Sequence, residues 1–143
     1  MGTLLTLHNQ FEKFIERTYD ETIQLLEEAI DYCTHEGKEN VQDLEPVDKL
    51  RIAGEKMRVT ARLSGIMAWL LVQKALVNGE FSLDQARSEP SQLDPFDVCI
   101  SEGQMGKKDC PAPLVRMLDR SRDLYGRVVK MYMMAMRLYA KSA

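Results

Sequence analysis

From Met57 to Glu80 the chain reads MRVTARLSGIMAWLLVQKALVNGE. Ile66 through Val72 is an unbroken apolar run centred on Trp69. Gln73 and Lys74 stop it far short of the roughly 20 residues that a bilayer-spanning helix needs, so no membrane span is expected. The run sits inside a longer helical period. Val47, Leu50, Ala53 or Gly54, Met57, Thr60, Ser64, Met67 and Leu71 mark one face of it. Ile52, Val59, Leu63, Ile66, Leu70 and Val77 mark another. A surface helix of a small protein carries one apolar stripe, whereas this helix is apolar almost all round. A chain of 143 residues suggests one domain with one core, too small to surround such a helix on every side. The reading is therefore self-association through this helix, through the last helix, or through both, with a symmetric dimer as the commonest solution and one wide intramolecular core as the alternative.

The rest of the chain supplies the partners. Leu7, Phe11, Phe14, Thr18, Thr22, Leu25, Ala29 and Cys33 recur at spacings of three and four, which predicts a first helix over about 6–34, stopped by Gly37. Pro46 suits the first turn of the second helix, where its missing N–H costs nothing, and Asn78-Gly79 is a left-handed stop, giving a helix over about 46–78. SLDQ at 82–85 has the pattern of a capping box and predicts a short helix to about Ser88. Residues 88–113 hold four of the five prolines and are read as a long irregular loop, a candidate docking segment. Leu114, Leu118, Ser121, Tyr125, Val128, Tyr132, Ala135 and Tyr139 restore the helical period over about 114–141. No strand is expected. The fold class is all-α: an antiparallel three-helix bundle with one short extra helix and a long loop.

Charge is segregated. Between Glu12 and Glu36 the acids outnumber Lys and Arg, while from Leu114 onward seven basic residues face only Asp119 and Asp123. The simpler reading pairs the acidic first helix with the basic third. The sharper one makes the third helix a basic face for nucleic acid or for an acidic protein; the net charge of −3 argues against nucleic acid. The methionines at 131, 133, 134 and 136 are adaptable packing groups.

Little in the chain points to chemistry. His8 and His35 are the two histidines, and with Cys33, Cys99 and Cys110 they form no zinc-ligand spacing. Glu27 and Glu28 lack the Glu-x-x-His partner of a di-iron bundle, and no phosphate-binding or nucleophile motif occurs. No catalytic residue, metal or cofactor is expected. Three cysteines without a disulfide framework, and a start (MGTLLTLHNQ) without the charge pattern of a signal peptide, fit a reducing cytoplasm.

YDETIQLLEEAIDY (19–32), GEKMRVTARLSGIMAWLLVQKALVNGE (54–80), the SLDQA that follows it and LDRSRDLYGRV (118–128) resemble the alphaproteobacterial family known as DUF1465. The resemblance implies a cytoplasmic, dimeric three-helix protein without catalytic activity. It implies an adaptor that helps the ClpXP protease receive cell-cycle regulators, with ClpX or its priming factors and protein substrates as partners. The candidate dimer or partner contacts are Arg58, Arg62, Ile66, Trp69 and Leu70 on the second helix, and Tyr125, Arg127 and Tyr132 on the third.

Overall fold

The computed structural model describes residues 2–36, 42–80 and 110–142. It contains three long helices, α1 (Gly2–Thr34), α2 (Pro46–Val77) and α3 (Ala112–Ser142), and no strand among the described residues. The expected short helix after Ser82 and the loop from 88 to 109 lie outside them.

Local chemistry sets the helix ends. α2 starts with Pro46 in its first turn, behind an extended Glu45. It closes on Gly79, whose φ of +75° places it in the left-handed region that glycine adopts without strain. The Glu80 N–H donates to the Ala75 carbonyl at 2.8 Å and the Gly79 N–H to the Leu76 carbonyl at 3.2 Å, the paired bonds of a Schellman stop. α3 begins two residues before the expected Leu114. Pro113 lies within its first turn, where a proline lacks nothing the helix needs. α1 extends four residues earlier than its predicted start, because nothing between Gly2 and Thr6 breaks a helix.

The side-chain pairings fix the directions. Lys56 lies over Tyr32 and Lys74 over Tyr19, so α1 and α2 are antiparallel. Arg127 pairs with Glu21 and Arg120 with Glu28, so α1 and α3 are antiparallel too. Arg62 meets Leu118, and Trp69 meets Tyr132, so α2 and α3 run parallel. The all-α three-helix bundle is as expected, and the antiparallel relation holds for α1 against each neighbour, but not between α2 and α3. The reason is the connection: α2 is roughly 48 Å long at 1.5 Å per residue, a span that ~15 extended residues cover. The chain between Val77 and Ala112 is long enough to return to the starting end, so α3 need not be a hairpin partner of α2.

The core lies along the common axis. α1 contributes Phe11, Ile15, Thr22, Leu25 and Tyr32, α2 contributes Ile52, Val59, Leu63, Ile66 and Leu70, and α3 contributes Leu114, Leu124, Val128 and Ala135. On α1 the expected face is rotated slightly. Ile15 and Tyr32 are buried where Phe14 and Cys33 were expected, and those two are exposed.

Candidate interaction surfaces

α2 packs on α1 along one side and on α3 along another. The second of its two sequence faces is the one that turns inward: Leu63, Ile66 and Leu70 are fully buried. This corrects the sequence argument. The apolar excess at Ile66, Trp69 and Leu70 is buried by the chain's own α1 and α3, and needs no second chain.

The eight candidate contact residues do not form one outer patch. Arg62, Ile66, Trp69, Leu70 and Tyr125 are all buried within the single chain. Arg62 crosses from α2 to α3, donating to the Leu118 carbonyl at 2.9 Å and to the Ser121 hydroxyl at 3.2 Å. A buried guanidinium is costly without acceptors, so these bonds hold α3 in register against α2. Trp69 meets Tyr132 edge to face, with ring centroids 6.2 Å apart. Tyr125 lies against Gly65, where a Cβ would sit 3.8 Å from its ring, so α2 and α3 approach closely there. Arg58 is half-buried, 3.5 Å from Glu55. Arg127 is the one clearly exposed member, and it is engaged by Glu21 of α1.

Two surfaces remain. The first is the α1–α3 seam, where Glu21–Arg127 and Glu28–Arg120 pair one above the other. The acidic first helix thus neutralises two arginines of the basic third, as the simpler reading of the charge segregation expected. The second is the outer face of α2. Val47, Leu50, Met57 and Leu71 are exposed there, at 60%, 74%, 71% and 50%. Sequence reasoning marked this face but placed its candidate contacts on the side of the helix that the single chain buries. The signal that separates the two sides is residue size: the buried face carries Ile52, Val59, Leu63, Ile66, Trp69 and Leu70, while the exposed face interleaves its large residues with Gly54, Thr60 and Ser64. Exposed methionines at 133, 134 and 136 and an exposed Phe14 and Ile30 add isolated apolar surface on α3 and α1.

Polar groups elsewhere are held in local pairs. Lys74 lies 3.5 Å from Glu16 and 3.9 Å from the Tyr19 ring centre. Burial, and then the nearby Glu55 carboxylate, push the Cys110 thiol from 9.0 up to about 11, which suppresses the nucleophilic thiolate. Among the described residues no group of three or more His, Cys, Asp or Glu is placed to hold a metal ion, and no helix is long and apolar enough to cross a membrane.

The family described as a protein of unknown function, DUF1465, matches residues 8–142. The crystal structure of RcdA from Caulobacter crescentus CB15 is similar to this fold with a TM-score of 0.65. It is 30% identical, over 88% of this chain and 91% of that one. No curated protein matches the chain.

Proposed function

The chain belongs to the DUF1465 family, and from that premise we propose that it is a non-enzymatic, RcdA-like regulator of proteolysis. It works in the cytoplasm as a homodimeric adaptor that brings protein substrates to the ClpXP protease. The observation that carries the reading is the similarity to RcdA along nearly the whole of both chains. The surface agrees with it: apolar side chains are exposed along one helix, and the charged residues of the seam are paired with one another. Such a protein acts by tethering. Holding a substrate beside the protease raises its effective concentration without new chemistry.

The experiment uses the purified full chain as bait in Caulobacter crescentus lysate, with capture read by mass spectrometry. Each captured short-lived regulator is then presented to purified ClpXP with and without the chain. Recovery of ClpX or its priming factors, and faster degradation of a captured regulator when the chain is added, is the expected result. Degradation rates that the chain leaves unchanged overturn the adaptor reading. Salt-sensitive capture of duplex DNA in place of protein would favour the basic third helix as a nucleic-acid face.

A further inference from the structure

We infer that Phe14 and Met134 form an anchor site on the α1–α3 seam for an acidic protein segment that carries one large apolar side chain; this deepens the adaptor reading above and rests on it. The register of the seam sets the site. Glu28 pairs with Arg120 and Glu21 with Arg127, one heptad apart on each helix and in opposite chain directions. The Thr18 hydroxyl lies 3.7 Å from the Met131 sulfur, which carries the same register further along α3. One heptad beyond Glu21 and Arg127, the next rung sets Phe14 opposite Met134. On its own helix each is a separate exposed side chain; the register places the two at one level of the seam.

This rung departs from the rule that the other two follow. Positions that flank the core of a helix pair ordinarily carry opposite charges, which bridge the helices and face water at no cost. Phe14 and Met134 are apolar there, and each is 43% exposed. The core at this level is filled without them, by the buried Ile15, Met131 and Ala135.

The charge around the rung selects the partner. Residues three and four apart share a helix face. Every charged residue at those positions around Phe14 and Met134 is basic: Arg17 on α1, and Lys130 and Arg137 on α3. All three are exposed, and none forms an ion pair with another described residue. Glu21, the next acid along the seam, is already held by Arg127. Two apolar groups among three cations complement an aromatic or long aliphatic side chain flanked by Asp and Glu. The apolar part is narrow, because the seam continues into the ion pairs Glu21–Arg127 and Glu28–Arg120. It therefore fits a single anchor, and not the long apolar stripe by which a helix lies on a membrane. A methionine beside the anchor adapts to more than one shape, as a receptor for several substrates requires.

The test reads fluorescence polarisation of a labelled heptapeptide, one Phe between three acidic residues on each side, titrated with the purified full chain. The comparison probes replace its Phe by Ser, or its acids by Asn and Gln. The expected result is saturable binding that either replacement weakens at least about tenfold, and that added salt weakens further. Met134→Glu and Arg137→Glu in the chain each weaken it by about the same factor. Arg116→Glu makes the same charge change roughly 32 Å along α3 from Arg137, and leaves binding within about twofold. All three positions are exposed, so circular dichroism and melting of each variant report an intact fold. No saturable binding at hundreds of micromolar chain, a neutral peptide held as tightly as the acidic one, or undiminished binding by Met134→Glu each overturns the anchor site. So does flotation of the chain with phosphatidylserine vesicles that Met134→Glu abolishes, which would make the face a lipid contact. A chain that speeds ClpXP degradation without holding the peptide would overturn this inference and leave the adaptor reading standing. Peptide binding with the expected variant pattern and no effect on ClpXP would do the reverse.

Discussion

On the inner side of α2, Leu63, Ile66 and Leu70 are large and sealed from water; on its outer side, Leu50, Met57 and Leu71 are large and open to it. The two sides are similarly apolar, and hydropathy alone ranks them together. They differ in residue size and in coverage by neighbouring helices. The inner side is broad, because two neighbours, α1 and α3, cover it. The outer side interleaves Leu50, Met57 and Leu71 with Gly54, Thr60 and Ser64, and neither α1 nor α3 covers it. An apolar helix in a small protein therefore poses two separate questions: how much surface is covered, and by how many neighbours.

The largest expected break lies on the inner side. Ile66→Asp buries an unpaired carboxylate among α1, α2 and α3 and unfolds the chain, and Ile66→Ala costs about 2–5 kcal/mol, both read from chemical denaturation. Arg62→Met removes the donor that Leu118 and Ser121 share and costs roughly 1–3 kcal/mol, with the loss concentrated in α3 by hydrogen exchange. At the seam, a double-mutant cycle on Glu21 and Arg127 yields a coupling of about 0.2–1 kcal/mol that shrinks with added salt, because both side chains are half exposed. The smallest effect is on the outer side: Leu50→Glu shifts the stability of the single chain by no more than about 0.5 kcal/mol, measured at a concentration where the chain is monomeric. A large loss there would mean that the outer side belongs to the chain's own core.

Cys110 gives a pH test of the α3 entrance. Its thiol is raised in the fold to about 11 from 9.0, so the folded state holds the proton longer than the unfolded one. Its contribution is therefore constant below pH 9 and destabilising as pH rises from 9 toward 11, where unfolding releases a thiolate that the fold disfavours. In a chain with Cys99→Ser, thiol labelling at pH 8 modifies the exposed Cys33 quickly and Cys110 at the rate of opening, with Cys110→Ala flattening the alkaline loss of stability.

Much of the architecture was legible in the residues. The three helical periods, Pro46 at the start of α2, the Gly79 stop and the charge match of α1 with α3 follow from local chemistry, and each reappears in the structure. The burial of the candidate contacts was not. Arg62, Ile66, Trp69, Leu70 and Tyr125 looked like an interface because a period gives the angle between residues on one helix, and says nothing of which angle points inward.

By itself, then, the sequence determined that the chain forms three long helices, that the second carries two apolar faces, and that acid and base are sorted onto α1 and α3. Each of these is a property of one segment and its side chains. The tertiary structure decided which face of α2 is buried and that α3 runs parallel to it. Those outcomes depend on neighbours far apart in the chain: Arg62 reaching Leu118, Trp69 meeting Tyr132, and a connection long enough to bring α3 back to the end where α2 began.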